Sequence, residues 1–426
     1  MRRILQTILN ILAQLYIWRY KPDIIAITGN VGKTSTKEAI AVVLRETYKV
    51  RVSGGNLNNE LGVPLTILGD WARDYYDSES SFIFWLKVFM KGFFGLFSLR
   101  TYPDILILEY GADKPGDIKR LACKFRPHIA IVTAIGEVPV HVEYFSGPEA
   151  LAREKSRLLE VLKLTDYAVL NFDDQTVLDM KGKTKARVWT YGLGERADVK
   201  VSNFDFKVEK PVGVAFKLHY EDSFVPVRIE GSIGKSQAWA AGAAAAVGLI
   251  LGMNLVKISE ALLNYRGPAG RLKVLEGIKN TTIIDDTYNA SPAAMHLALE
   301  TLKAFPAKRK VAVLGDMLEL GRYTIEAHRE AGNLAGSIVD LLVCVGSRAK
   351  FIADSAENQM DSGNIYIFET SDLAKSKVQE LIREGDLILA KGSQGMRMEK
   401  VVEEIMAEPE KKKELLVRQG KKWFKQ

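Results

Sequence analysis

The sequence predicts an α/β protein in which a phosphate-loop domain built on a parallel sheet precedes a second, Rossmann-like doubly wound domain. Two observations support this prediction. Near the start, the apolar run IIAIT leads into GNVGKTST and then into the helix-forming run KEAIAVVLRE, which together form a strand–loop–helix unit. In the second half, apolar strands such as TTIID, KVAVLG, LLVCVG and DLILAKG alternate with helical segments, a pattern typical of parallel βαβ units.

Changes in this pattern predict the domain boundaries. A lead helix occupies residues 1–22, and the phosphate-loop domain follows over 23–265 with an insertion at 71–102. The run RGPAGR predicts a hinge at the start of a second domain over 266–405. Residues 406–426 form a basic tail.

Two segments near the end of the first domain have their own patterns. Residues 196–230 alternate between apolar and polar side chains, which predicts a small sheet within the first domain. The alanine-rich run at 231–252 predicts a closely packed helix.

The composition is that of a folded protein. Of 426 residues, 47% are apolar and 26% are charged, which excludes a disordered chain, a collagen-like chain and a polytopic membrane protein. Cys123 and Cys344 are too few for a disulfide framework, so we expect a reducing, cytoplasmic location.

The positive charge is concentrated at the two ends of the chain. The formal net charge is +7, of which residues 1–22 carry +4 and residues 411–426 carry +6, so the body between them is slightly acidic. This distribution argues against a nucleic-acid-binding core. The basic ends could contact anionic lipid, or the tail could be a solvated terminus.

Two apolar segments raise the question of membrane contact. Residues 4–18, within the lead helix, carry no charge, and Gln6, Asn10 and Gln14 recur every four residues as one polar stripe. The segment 82–99 is rich in Phe and Leu but contains two lysines, which makes a spanning helix costly. Each could lie in the membrane interface or pack on the protein itself, so peripheral contact with the inner face of the membrane is one of two readings.

The run GNVGKTST is typical of a phosphate-binding loop. Backbone N–H groups of such a loop and of the helix that follows surround phosphates, with the lysine reaching the β- and γ-phosphates and the threonine hydroxyl on Mg²⁺. A short glycine motif alone is also typical of a simple turn. The residues that we expect to bind nucleotide here are Gly29, Asn30, Val31, Gly32, Lys33, Thr34 and Ser35.

A second candidate lies in the run DILILEYGA. Its apolar strand ends at Glu109, and ligands of open α/β sheets lie at the carboxyl ends of the strands. A carboxylate there suits Mg²⁺, although an acid can also simply end a strand.

Together these stretches resemble the Mur ligases, most closely the MurF type, which adds D-alanyl-D-alanine to a UDP-MurNAc-tripeptide. The resemblance covers residues 24–405. It depends on TGNVGKTSTKE, GNLNNELGVPLTIL, LEYGADKPGDI, HVEYFSGPEALAREK, IIDDTYNASPAAM, VLGDMLELG and KGSQGMRMEKV, in this order. It implies a central ATPase domain, a C-terminal ligase domain and small peptide or amino-sugar substrates. The implied reaction phosphorylates a carboxylate with ATP, and an amine then attacks the acyl phosphate.

The resemblance also implies roles for single residues. Thr34 and Glu109 hold one Mg²⁺, His141 contacts a second, and Lys155 matches a lysine that becomes carbamylated and binds metal. Asp286 and Asn289 meet the nucleotide from the C-terminal side. The implied catalytic set is Lys33, Lys155, His141 and Arg271. The residues implied to bind the substrates are Asn58, Asn59, Lys391 and Ser393.

The sequence departs from the MurF pattern in several places. MurF-type proteins have a further N-terminal domain for the UDP group, and the early phosphate loop leads us to expect that this chain lacks it. Ser236 and Ala240 replace a histidine and an asparagine, and Gln394 stands where arginine is usual. The run before His141 is two residues longer than usual.

Three readings of function follow. The first is an ATP-dependent amide ligase of cell-wall precursors, and the second is a ligase for another carboxylate and amine, such as a lipid-linked pair. The third is a non-catalytic ATP-binding scaffold. The matching metal residues favour catalysis, since a scaffold does not need them.

Overall fold

The computed structural model describes residues 2–77, 81–97, 102–420 and 423. Parts of the predicted segments therefore lie outside the described residues. They are residue 1 of the lead helix, residues 78–80 and 98–101 of the insertion, and residues 421–422 and 424–426 of the basic tail. Residues 98–99 are also the end of the second apolar segment.

The first domain is built on a mainly parallel sheet. In the described residues this sheet has nine strands in the order β2-β3-β1-β4-β5-β6-β7-β8-β9. The strands are β1 (Asp23–Thr28), β2 (Val50–Val52), β3 (Ile105–Glu109), β4 (Ile129–Val132), β5 (Tyr167–Asn171), β6 (Arg187–Gly192), β7 (Val199–Lys207), β8 (Gly213–Tyr220) and β9 (Ser223–Glu230). Strands β1 and β3–β5 are almost wholly buried, which explains their continuous apolar runs.

The strands predicted over residues 196–230 are present, but they belong to the nine-stranded sheet and do not form a small sheet of their own. Strands β7, β8 and β9 pair antiparallel with one another, but β7 also pairs parallel with β6. The three strands therefore extend the central sheet. Alternation along the chain indicated half-buried strands correctly, but it carries no information about which edge they join.

Helices cover both faces of this sheet. They are α1 (Arg2–Tyr20), α2 (Lys33–Arg45), α3 (Gly62–Leu68), α4 (Ala72–Asp77), α5 (Phe82–Leu96), α6 (Asp117–Lys124), α7 (Pro148–Glu160), α8 (Gln175–Leu178), α9 (Lys235–Ile250) and α10 (Leu255–Leu262). The alanine-rich helix α9 packs directly on α2, as its small residues predict. This packing fixes the helix that begins at the phosphate loop.

The second domain contains a second doubly wound sheet. Its described strands follow the order β10-β11-β15-β12-β13-β14, and all pairs except β10–β11 are parallel. They are β10 (Lys273–Glu276), β11 (Thr282–Asp286), β12 (Lys310–Gly315), β13 (Leu341–Val345), β14 (Ile365–Phe368) and β15 (Leu387–Lys391). The helices are α11 (Pro292–Ala304), α12 (Thr324–Gly336), α13 (Lys350–Ala356), α14 (Ser371–Leu381), α15 (Glu399–Ile405) and α16 (Lys412–Leu415).

Short 3₁₀ helices connect several of these elements. They are Val142–Tyr144, Asp179–Lys183, Ile278–Asn280, Gly321–Tyr323, Ser362–Asn364, Gln394–Met396 and Pro409–Lys411. The α/β class and the two parallel-dominated sheets are confirmed.

The described part of the basic tail packs on the second domain. Leu416 is buried in the core formed by the second sheet and its helices. The Arg418 guanidinium, 5% exposed, pairs with the buried carboxylate of Glu399 and donates to Thr287 O at 2.6 Å and Tyr288 O at 2.9 Å. The reading of this segment as a solvated terminus was therefore wrong for residues 416–418, because charge count alone does not show where a side chain finds partners.

Candidate active site

The phosphate loop lies at the carboxyl end of β1 and is held against β4. The backbone N–H of Val31 donates to Ala134 O at 2.9 Å. Gly29 has a φ of 140°, and a Cβ there would lie 2.0 Å from Thr133 Oγ1. Gly32 precedes α2 with a φ of 87°. Glycine fits both positions without strain or collision. Because these two positions carry no side chain, the N-terminus of α2 is accessible to an anion.

Two lysine side chains meet at the carbonyl of Gly29. Lys33 Nζ and Lys155 Nζ each donate to Gly29 O at 2.9 Å, the first from α2 and the second from α7. Burial lowers the pKa of Lys33. Burial, followed by the positive charge of Lys33, lowers the pKa of Lys155 well below its ordinary value. Burial therefore favours the neutral amine of Lys155, whereas Lys33 is the lysine of this pair that lines the cleft.

Glu109 ends β3 beside the loop, and its side chain is almost fully buried. One oxygen lies 3.5 Å from Lys37 Nζ, and the other accepts a hydrogen bond from Asn58 Nδ2 at 3.3 Å. Burial opposes ionisation, but the charges of Lys37 and Lys33 outweigh it, so the pKa of Glu109 lies below its ordinary value. Glu109 is thus held as a carboxylate next to the phosphate loop.

His141 reaches the cleft from a backbone conformation in the left-handed region, with a φ of 67°. Its Nδ1 lies 2.7 Å from Glu319 Oε2, a contact that joins the two domains. The hydrogen bond to His141 lowers the pKa of Glu319. The imidazole therefore sits at the domain interface with one nitrogen already occupied.

The described residues contain no cluster of three or more His, Cys, Asp or Glu side chains that could hold a metal ion. Such a cluster is not needed for Mg²⁺, which proteins often bind through one or two carboxylates together with substrate phosphates and water. The buried carboxylate of Glu109 and the hydroxyl of Thr34, in the first turn of α2, supply hard oxygen ligands of this kind. The residues present therefore fit a Mg²⁺ ion shared with a nucleotide.

Arg271 approaches the loop from the second domain. Its guanidinium carbon lies 3.9 Å from the centre of the Tyr288 ring. Its Nε is buried and has no hydrogen-bond partner among the described residues. A buried donor without a partner is costly, and an anion in the cleft would satisfy it.

The two aspartates at the end of β11 hold the backbone on either side of Arg271. Asp285 accepts hydrogen bonds from Gly270 N at 3.1 Å and from the Thr287 hydroxyl at 2.6 Å. Burial raises the pKa of Asp285 to about 6. Asp286 accepts from Leu272 N at 3.2 Å and pairs with Lys391 Nζ at 2.6 Å. Both carboxylates thus hold backbone of the hinge in place.

The residues implied to bind substrate have mixed environments. Asn59 Oδ1 accepts from the backbone at the start of α3, at 3.0 and 3.1 Å, so this amide stabilises the local turn. Ser393 Oγ accepts from Leu318 N at 2.8 Å. Asn289, which was implied to contact the nucleotide, accepts from Gln394 N through its Oδ1 at 3.3 Å. The Lys391 ammonium is buried in its ion pair with Asp286, so it does not point into open space.

A cleft of about 940 Å³ lies between the two domains and brings most of these residues together. The predicted residues on its walls are Asn30, Lys33, Asn58, Asn59, Glu109, His141, Arg271, Asn289 and Ser393. A smaller cavity of about 30 Å³ adjoins the loop. The predicted site residues that line it are Val31, Gly32, Ser35, Arg271, Asp286 and Lys391, and Ser236 lines it as well. Lys155 lies behind the loop, bonded to Gly29.

Comparison with known proteins agrees with this arrangement. The model of the Mur ligase middle domain matches residues 27–74 and 96–248, and that of the Mur ligase glutamate ligase domain matches residues 270–394. The UDP-N-acetylmuramoyl-tripeptide--D-alanyl-D-alanine ligase of Mycobacterium leprae is 32% identical over 398 residues, covering 87% of this chain and 71% of that protein. The chain belongs to the Mur ligase family.

Other relatives of the same type cover more of the chain. The ligase of that name from Bacillus subtilis is 29% identical, over 95% of this chain and 80% of the relative. The MurF ligase of Thermotoga maritima, solved in complex with ADP, is 26% identical and has a TM-score of 0.78, covering 96% of this chain and 84% of that one. A MurF structure from Acinetobacter baumannii has a TM-score of 0.75 at 27% identity, covering 92% and 79% of the two chains.

Several residues of this Mur ligase site were missed at the level of sequence. Lys37 lies one helical turn after Lys33, so its place on the same face of α2 was readable from spacing. Tyr288 and Glu319 lie inside the motifs DDTYNA and GDMLELG, which were noted without a role for either residue. Trp423 also lines the cleft, and no signal in the sequence places the tail there.

Proposed function

We propose that this Mur ligase joins D-alanyl-D-alanine to a UDP-MurNAc-tripeptide in an ATP-dependent reaction. In this reaction the γ-phosphoryl group of ATP is transferred to the terminal carboxylate of the tripeptide, which gives an acyl phosphate and ADP. The amine of the dipeptide then attacks the acyl carbon, the amide forms, and inorganic phosphate leaves. The substrates are those named for the relatives described above.

The observation that carries the proposal is the meeting of phosphate-binding groups from both domains at one cleft. The first domain supplies the bare glycine loop and Lys33, and the second supplies Arg271 with a buried, unpartnered Nε. Phosphoryl transfer needs little covalent help from a protein, since it depends on positioning and on neutralising charge. A cleft with cations on both sides is suited to that task.

Each group has a distinct part in this proposal. The backbone of the loop and Lys33 orient the phosphates of the nucleotide. The Arg271 guanidinium neutralises charge on the transferred group from the opposite wall. Thr34, Glu109 and His141 would hold Mg²⁺, and the metal would neutralise charge on the phosphate oxygens. Asn58 keeps Glu109 oriented through its hydrogen bond.

Carbamylation of Lys155 is part of the proposal. Only a neutral amine reacts with CO₂, and burial beside Lys33 favours the neutral form by lowering the pKa of Lys155. A carbamate would also place a negative charge beside Lys33, and the Lys33 ammonium would attract it. It would supply oxygen ligands, which Mg²⁺ prefers.

The location of the protein is also a proposal. We propose that it works in the cytoplasm on small-molecule substrates. Among the described residues, no helix is both long enough and apolar enough to cross a membrane. The predicted peripheral membrane contact through residues 1–22 and 82–99 is a separate proposal, because it depends on the surface of these helices and not on the cleft.

The decisive test is turnover of ATP with Mg²⁺, UDP-MurNAc-tripeptide and D-Ala-D-Ala, followed by mass spectrometry of the product. We expect ADP, phosphate and the UDP-MurNAc-pentapeptide in equal amounts. ATP turnover with other acceptors alone, including lipid-linked ones, would reassign the substrate. Tight ATP binding without turnover on any acceptor would favour the scaffold reading.

The Lys155→Ala variant tests the carbamate, with the exposed Lys163→Ala as its matched control. We expect ligation to collapse in Lys155→Ala only, and a short carboxylic acid to restore part of it by replacing the lost oxygen ligands. The native protein should carry the added mass of one CO₂ that is lost in acid. Full turnover by Lys155→Ala would remove the carbamate from the mechanism.

A further inference from the structure

Helix α1 has two apolar faces. The inner face is buried against the first domain and consists of Leu9, Leu12, Ala13 and Tyr16. The outer face is exposed and consists of Ile4, Ile8, Ile11, Leu15 and Trp18. The outer residues recur at intervals of three and four, so they form one continuous stripe along the helix. Packing on the protein therefore accounts for only half of the apolar character of α1.

Helix α5 is built in the same way. Phe84 and Val88 are buried against the domain, whereas an outer stripe is exposed. The stripe consists of Ile83, Leu86, Met90, Phe94 and Phe97. Its members again recur at intervals of three and four, and their exposed fractions reach 76% at Ile83 and 71% at Phe97. Large apolar side chains this exposed, and this regularly arranged, indicate a contact surface.

The two helices pack directly against each other. A Cβ at Gly92 would lie 3.5 Å from Leu12 Cδ1, and one at Gly95 would lie 2.0 Å from Tyr16 Oη, so glycines on α5 admit side chains of α1. The Tyr20 hydroxyl donates to Gly95 O at 2.8 Å. The outer stripes are therefore neighbours on one surface, which we call the α1–α5 surface.

All charged residues of helices α1 and α5 are positive. The residues of α1 include three arginines, those of α5 include two lysines, and neither helix contains Asp or Glu. Arg3, Arg19, Lys87 and Lys91 are exposed. Lys91 Nζ lies 5.3 Å from the Trp71 ring centre, and Lys87 pairs with Asp74 on the neighbouring helix α4. An apolar stripe bordered by cations is complementary to anionic headgroups above acyl chains.

Both helices also stand apart from the catalytic part of the fold. The family models match residues 27–74 and 96–248 of the first domain, so they leave out α1 and nearly all of α5. Neither helix contributes a residue to the cleft between the domains. The surface therefore needs an explanation other than ligation.

We propose that the α1–α5 surface docks this protein on an anionic lipid bilayer, with both helices lying along the interface. Trp18, Phe94 and Phe97 enter the headgroup region, and the lysines and arginines remain at the level of the phosphates. A second copy of the chain would bring two surfaces of like charge together, which opposes self-association through the same stripe. The proposal does not depend on the identity of the ligase substrates.

The test is co-sedimentation of the full chain with vesicles of phosphatidylglycerol mixed with phosphatidylcholine, and with vesicles of phosphatidylcholine alone. The surface variant is Ile11→Ser/Leu15→Ser/Phe94→Ser. The control is Leu263→Ser/Leu373→Ser/Phe224→Ser, whose residues are 54–59% exposed, against 42–63% in the surface variant. Far-UV circular dichroism verifies that both variants fold.

We expect the native chain and the control to bind the anionic vesicles, and the surface variant to bind about tenfold more weakly or worse. Binding should weaken as salt rises and should be much weaker on phosphatidylcholine alone. Three outcomes would overturn the proposal. They are no binding to either vesicle, equal binding by the surface variant, and a dimer in light scattering that only the surface variant abolishes. Because no substrate is used, failure here is independent of failure of the ligase assay.

Discussion

The buried pair of Lys37 and Glu109 allows a quantitative prediction about the metal side of the cleft. The two side chains are 1% and 6% exposed, and Nζ lies 3.5 Å from Oε2. Removing one partner of a buried ion pair typically costs 3–5 kcal/mol, because the other charge stays buried alone. In Lys37→Met, Glu109 keeps its hydrogen bond from Asn58 and the charge of Lys33, so we expect a loss of about 3 kcal/mol.

A double-mutant cycle separates this pairing from a general effect of altering the core. Glu109→Gln leaves the Lys37 ammonium buried without its acid and should cost a similar amount. The double variant Lys37→Met/Glu109→Gln leaves no charge unpaired and should cost about as much as one single change, a coupling energy of about 2–3 kcal/mol. The exposed pair of Lys87 and Asp74, 50% and 45% exposed, provides the control, since Lys87→Met should cost less than about 1 kcal/mol.

The assay is urea unfolding followed by tryptophan fluorescence, to which five of the six tryptophans contribute from the first domain. Free energies of unfolding come from linear extrapolation of the transition. If the two single losses added in the double variant to within about 0.5 kcal/mol, the pair would not be coupled. The inference that Lys37 holds Glu109 ionised for Mg²⁺ would then be refuted.

Three further predictions follow from the same contacts. Gly29→Ala should abolish ATP binding in calorimetry, since its Cβ would meet Thr133 Oγ1 at 2.0 Å, and unchanged affinity would contradict the assigned loop. Burial raises the pKa of Asp285 to about 6, so the ionised carboxylate destabilises the folded state by about 3 kcal/mol. Lowering the pH from 7 to 4 protonates Asp285 and should therefore raise the free energy of unfolding of the native protein, relative to that of Asp285→Asn, by most of this amount. Urea unfolding at the two pH values measures this, and the same pH dependence in both proteins would contradict the prediction. Arg418→Met should cost about 3–5 kcal/mol in thermal or urea unfolding, against less than about 1 for Lys412→Met at a partly exposed pair in the same tail, and equal losses would show that burial of Arg418 is unimportant.

Sequence patterns predicted the parts of this protein that depend on local order. The strand–loop–helix at the phosphate loop, the alternation of strands and helices in the second half and the packed alanine-rich helix all follow from periodicity and glycine placement. Glu109 was found because a buried strand delivers its last residue to a fixed edge of the sheet. These inferences need only the residues next to one another in the chain.

Contacts between distant segments could not be predicted in this way. The bond between His141 and Glu319 joins residues on different domains, and the cavity wall formed by Trp423 depends on how the tail folds back. The interpretation of 196–230 failed for the same reason, since pairing of β7 with β6 is a long-range choice. The packing of the lead helix on the protein is found for its inner apolar residues, whereas its outer apolar residues are exposed and their contact with a membrane stays a prediction.

The balance of charge around the loop favours a nucleotide as ligand. Lys33, Lys37 and Arg271 place positive charge around the buried carboxylate of Glu109. Burial is the main cause of the lowered pKa of Lys33, and the charges of Arg271 and Lys37 add to it, while the Nε of Arg271 has no partner among the described residues. A triphosphate would favour the charged form of Lys33 and give Arg271 a partner, because it brings several negative charges to the loop. We therefore expect ATP to bind the cleft in the absence of the carboxylate substrate, and calorimetry with each ligand alone checks this expectation.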